Sequence, residues 1–178
     1  MTISVVEDLR AIEVCNACRR IVISAEDVRN LFWALDRNGQ FYLAEGDLSV
    51  AFVPNEKIRA IHGEFLGDHS LTDVISFPGD PELNFAGEIV VCPLYAMEQS
   101  KFYNTTLCDE IKLYLVHGYL HLCGLKDKSE EEAQKMRSGE KYCLDFLKNF
   151  PLQVSPMGLR LTRGAPPPWT PRKESETP

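Results

Sequence analysis

Three short runs with strand character, residues 48–53, 73–77 and 87–92, have a helix-forming stretch between the first two and helix alone after the last. Residues 48–53, Leu-Ser-Val-Ala-Phe-Val, alternate apolar and polar as a half-buried strand does. Pro54-Asn55 then turns the chain into a short helix at about 58–65. Pro78-Gly79-Asp80-Pro81 closes the next run. Ser24 is placed to cap a helix to about 36, with Val28, Leu31, Phe32 and Leu35 on one face and Asn38-Gly39 as its stop. Residues 94–102, 106–123 and 129–148 read as helices, and residues 2–6 as one further strand. Strands with helices between and after them require a layered fold. The expectation is a single α+β domain, with a small mixed four-stranded sheet packed with about five helices, and a C-terminal tail.

The tail is expected from Pro151 onward, giving a domain of residues 1–150 and a proline-rich segment of 151–178. Gly164-Ala165-Pro166-Pro167-Pro168-Trp169-Thr170-Pro171 has too few apolar residues to bury and too many prolines for regular helix. No run approaches the ~18–20 apolar residues of a spanning helix. The first residues lack the basic-then-apolar pattern of a signal peptide, so a cytoplasmic location is expected. The six cysteines, Cys15, Cys18, Cys92, Cys108, Cys123 and Cys143, are then expected as reduced thiols. Net charge is −7, with 26 acidic against 19 basic residues. The acid excess lies in the body, since the stretch after Pro151 carries Arg160, Arg163, Arg172 and Lys173 against Glu174 and Glu176. Such a body repels polyanions at long range.

The chemistry is concentrated in Val116-His117-Gly118-Tyr119-Leu120-His121-Leu122-Cys123-Gly124-Leu125-Lys126-Asp127. Histidines four apart on a helix project to one side, a turn apart, as two metal ligands must. Gly124 suits the left-handed stop that swings a chain back, and Asp127 follows at a reach that suits a third ligand. Glu130 and Cys123 compete for that role. Two imidazoles and one carboxylate, with a fourth position for water, make an open catalytic zinc site, and they favour zinc over nickel or manganese. Paired histidines on an apolar helix also occur simply as hydrogen-bonded core or surface groups. Half of the chain's four histidines lie here, and a glycine stop and a carboxylate follow. Gly118 occupies the place of the general-base glutamate in a His-Glu-x-x-His peptidase, which excludes that reading. Cys15-Asn16-Ala17-Cys18 has no second pair to complete four ligands, so both cysteines read as packing residues.

The histidine motif, together with Thr72-Asp73-Val74-Ile75-Ser76-Phe77-Pro78 upstream, resembles the YbeY family of metal-dependent endoribonucleases. Residues 87–92 resemble its glycine-led strand, and Glu130-Glu131-Glu132-Ala133 with Met136 and Glu140 resembles its last helix. The resemblance runs in order over residues 1–148. It implies one Zn2+ per chain on His117, His121 and Asp127, and a single-strand-specific endoribonuclease acting in ribosomal RNA maturation and ribosome quality control. The implied partners are single-stranded ribosomal RNA and the small ribosomal subunit, without membrane or DNA. Asp127 stands where the family more often has a third histidine, and Leu66 where it often has an arginine. Those departures motivate a second reading, a ribosome-associated binding factor with a mainly structural metal. Glu88, Asp73 and Asp127 are the carboxylates near the motifs, with no general base assigned among them. Asp73 is expected to tie loops by hydrogen bonds, while Thr72 and Ser76 suit a strand as well as a substrate contact. A local basic groove for RNA is expected to draw on Lys57, Arg59, Lys101, Lys112, Lys126 and Lys128.

Overall fold

The structure, a computed structural model, describes residues 10–157. Its main sheet has strand order β1 (Ile12–Asn16), β3 (Asp47–Phe52), β5 (Phe85–Val91) and β4 (Val74–Pro78). The first three run parallel, and β4 is antiparallel to β5. This is the mixed four-stranded α+β sheet read from the sequence, with a different first strand. The strand expected at 2–6 lies outside the described residues. β1 sits at the sheet edge, where Glu13, Cys15 and Asn16 are exposed and Ile12 alone is buried. So little apolar alternation does not announce a strand.

Helix α1 (Ala25–Leu35) starts where expected, with the Ser24 hydroxyl accepting from the Asp27 N–H. It buries Val28, Leu31, Phe32 and Leu35. Helix α2 (Asn55–Leu66) leads from β3 to β4, and helix α3 (Pro93–Phe102) follows β5. Helix α4 (Leu107–Leu122) is capped by Thr106 and lies on the sheet. Helix α5 (Glu130–Phe146) packs on α4 and begins with a full capping box, Ser129 and Glu132 each satisfying the other's backbone N–H. Leu48, Val50, Phe52 and Ile89 point into the core shared by α1 and α4, whose Phe32 and Tyr119 rings lie 6.3 Å apart. Tyr119 is fully buried, and its hydroxyl donates to the Leu35 carbonyl at 3.1 Å. The opposite sheet face meets α2, where Phe65 packs edge-on to Phe77 with centroids 5.0 Å apart.

Past the boundary expected at 150, the chain stays on the body as far as the described residues run. Lys112 Nζ donates to the Phe150 carbonyl at 2.6 Å, and the Gln153 N–H donates to buried Asp27 at 2.8 Å. Leu152 is buried, and β6 (Val154–Pro156) pairs with β2 (Ile21–Ile23) in a small second sheet. Residues 151–157 therefore belong to the domain. A three-residue strand has no periodicity of its own, and only its partner, over a hundred residues earlier, defines it.

Candidate metal centre

Gly118 explains how α4 comes to lie where it does. A Cβ there would meet Ile89 Cγ2 at 2.7 Å and Ser76 Oγ at 3.0 Å, so the absence of a side chain lets the helix settle on β4 and β5. Ser76 then donates its hydroxyl to the Gly118 carbonyl at 3.1 Å. With Gly118 against the sheet, His117 and His121 share a different, half-exposed side of α4.

The end of α4 builds the rest. Gly124 takes φ +96°, its N–H bonds the His121 carbonyl at 2.9 Å, and the Leu125 N–H bonds the Leu120 carbonyl at 3.0 Å. This is a Schellman stop. It turns the Leu125 carbonyl onto His121 Nδ1 at 2.9 Å and brings Asp127 back over both rings. The two Nε2 atoms lie 2.9 Å apart, and Asp127 Oδ2 is 3.5 Å from each. Ligands at ~2.0–2.1 Å in tetrahedral array are separated by roughly 3.3 Å, so three atoms already form the face of a zinc-sized tetrahedron. Among the described residues, this is the one group of three or more such side chains with donor atoms so close.

Tautomers follow from the partners. A carbonyl only accepts, so His121 Nδ1 carries hydrogen. His117 Nδ1 is 2.6 Å from Glu140 Oε1, and a carboxylate likewise takes that hydrogen. With those tautomers both Nε2 atoms face one point beside Asp127 Oδ2, where the three could hold a cation. Burial opposes the charged form of His117, but the Glu140 hydrogen bond and charge, aided by Asp73 and Asp127, outweigh it. The imidazolium is held above its usual range.

The resemblance of the last helix includes Glu140, on α5, but does not reveal its place beside His117. In the sequence it is one more acidic residue of the last helix, and only packing of α5 on α4 brings it to His117. Of the competing third ligands, Glu130 is turned to solvent and pairs with Arg137 at 2.8 Å. Burial raises the Cys123 thiol to about 11, keeping it protonated. Asp73 does tie a loop: its Oδ1 accepts from the Thr72 hydroxyl at 3.0 Å and the Val74 N–H at 2.8 Å. Glu88 alternates with Ile89 and so lies on the sheet face away from α4. Cys15 is exposed while Cys18 is buried, and neither joins a ligand cluster among the described residues. Of the expected basic residues, Lys112 is committed to Phe150. Lys126 and Lys128 line an open cleft of about 440 Å³ with His121 and Asp127, whereas Lys57 and Arg59 stand on α2 and Lys101 near the end of α3. No helix is long and apolar enough to cross a membrane among the described residues.

Comparison with known proteins matches residues 14–148 to a family model described as Endoribonuclease YbeY. The Endoribonuclease YbeY of Thermodesulfovibrio yellowstonii is 40% identical over 106 residues, covering 57% of this chain and 67% of that protein. The Christiangramia forsetii protein of the same name is 36% identical over 96 residues, covering 54% and 67%. A solution structure of a Thermotoga maritima protein superposes with TM-score 0.53 at 26% identity, covering 79% of this chain and 93% of that one.

Proposed function

From the premise that this chain belongs to the YbeY endoribonuclease family, we propose that it cuts single-stranded ribosomal RNA at one zinc ion held by His117, His121 and Asp127. The setting is ribosomal RNA maturation and ribosome quality control, on the small subunit and in the cytoplasm. The observation that carries this reading is the donor triangle of 2.9, 3.5 and 3.5 Å. Its chemistry suits zinc, for two imidazole nitrogens and a carboxylate are borderline donors at tetrahedral spacing. When bound, zinc would polarise a phosphoryl oxygen and lower the pKa of its water toward ~7.

The protein's own part is orientation. Glu140 and the Leu125 carbonyl hold the two Nδ1–H groups, so both Nε2 atoms face inward without rearrangement. Asp127 closes the triangle from a chain segment that is itself pinned by the helix stop, and its side chain remains 42% exposed. That exposure leaves the fourth position open to solvent and substrate, as catalytic zinc sites are and structural ones are not. It favours the enzyme over the binding factor with a structural metal.

The deciding experiment measures zinc per chain, thermal melting and cleavage of a single-stranded ribosomal RNA fragment for the parent and His117→Ala. Loss of zinc and cleavage with a retained fold supports the reading. Cleavage by a zinc-free His117→Ala protein overturns it.

A further inference from the structure

An acidic nuclease has to hold its substrate with few cations. Acidic residues number 26 against 19 basic ones, and Lys126 and Lys128 are the lysines lining the cleft beside the metal ligands. Affinity from phosphate neutralisation is correspondingly limited. Stacking of bases on aromatic rings is the alternative, and it requires no charge.

The structure carries such rings at the end of α3. Phe102 and Tyr103 are 78% and 63% exposed and meet edge to face with centroids 4.9 Å apart. Their support is well bonded. Asn104 turns the chain at φ +58°, the Thr105 N–H reaches back to the Ser100 carbonyl at 2.9 Å, and the Thr105 hydroxyl donates to Glu110 at 2.5 Å. Thr106 then caps α4. Two large aromatics are thus held in water by a rigid turn.

The pair is continuous with the metal centre. Tyr95 lies seven residues before Phe102, on the same face of α3, and packs against Tyr114 of α4 at 6.4 Å. Tyr114 precedes His117 by three residues, one turn of the same helix. Asp73 lies within electrostatic reach of Tyr95, Tyr114 and His117 together, so the three belong to one neighbourhood. The short turn makes α3 and α4 antiparallel. At ~1.5 Å per residue, the aromatic pair therefore stands about 15 Å from His117 along the axis of α4. An extended strand spans that distance in a few nucleotides.

We propose that Phe102 and Tyr103 form a base-stacking platform for the single-stranded RNA, a few nucleotides from the phosphate that is cut. This rests on the ribonuclease reading above. The test uses the zinc-loaded full chain, an unstructured RNA oligonucleotide with one defined cut, and the double variant Phe102→Ala/Tyr103→Ala. Expected is a KM roughly ten- to a hundredfold higher at retained kcat, zinc content and melting temperature, with the ratio preserved at high salt. Phe102→Trp/Tyr103→Trp should restore KM. Scanning abasic sites along the RNA should find a position where the lost base raises KM for the parent and has no effect on the double variant. Equal KM for parent and double variant, with no such abasic position, overturns the platform and leaves the rings to a protein partner. A zinc-loaded parent that cuts no RNA overturns the ribonuclease reading instead.

Discussion

Replacing Glu140 by glutamine keeps an acceptor beside His117 but removes the charge. The contact is short, 2.6 Å, and shielded, with side chains 20% and 18% exposed, so it is a positioning bond rather than a surface ion pair. Loss of comparable partners behind a ligating histidine weakens metal binding about 10- to 100-fold, or ~1.4–2.7 kcal/mol. Glu140→Gln should sit near tenfold, because the Nδ1–H still finds an oxygen, and Glu140→Ala near a hundredfold. Competition titration against a chromogenic zinc chelator at pH 8 reads both values, with circular dichroism as the check on folding. The pH dependence carries a second signature. His117 is held above its usual ~6.5, so protons displace zinc as pH falls through that raised value. Without the carboxylate the raised value relaxes, and the gap between parent and Glu140→Gln should narrow toward acid pH. In the metal-free protein the sign reverses. The same interaction stabilises the fold below ~6.5 and is lost as pH rises through the raised pKa, so metal-free Glu140→Gln should lack that slope. A Glu140→Ala protein that is folded and binds zinc as tightly as the parent would refute the reasoning.

Asp127→Ala should weaken zinc binding strongly with secondary structure unchanged, Glu130→Ala should not, and Asp127→His should retain the metal; equal zinc affinity for Asp127→Ala and the parent removes Asp127 from the ligand set. Gly118→Ala forces a Cβ to 2.7 Å from Ile89 and should cost about 1–3 kcal/mol, read as a lower midpoint in urea. At Gly124, a Cβ would stand in open space with nothing within 4 Å, so Gly124→Val is strained by φ +96° alone; it should cost ~1 kcal/mol or more and reduce zinc occupancy by misdirecting Leu125 and Asp127. A chain ending at Phe150 loses buried Leu152 and the β2–β6 pairing. Leu152 alone contributes about 1.5–3 kcal/mol, so this chain should melt several degrees below one ending at Met157, and equal melting temperatures would place 151–157 off the body.

Much of this protein is local, and what is local is legible in the sequence. Ser24 caps α1, Thr106 caps α4 and Ser129 caps α5 because a side-chain oxygen reaches an N–H three residues on. His117 and His121 share a side because four residues make about one helical turn, and Gly124 stops the helix because glycine enters the left-handed region without strain. Asp127 is reachable on the same terms, three residues beyond the stop. Other features depend on partners distant in the chain. Glu140 becomes the support of His117 only when α5 folds across α4, 23 residues along. β1 is too exposed and β6 too short to show a period, and they become strands through the registers that β3 and β2 offer them. Lys112 reads in the sequence as a cation available to RNA, yet in the fold it is bound to the Phe150 carbonyl. The sequence determined the candidate ligands and the turn, since backbone geometry links those residues within a few positions, and its alternating runs indicated the sheet's class. The tertiary structure alone decided which carboxylate orients the histidine and that residues 151–157 pack on the body, because those contacts join residues that only packing brings together.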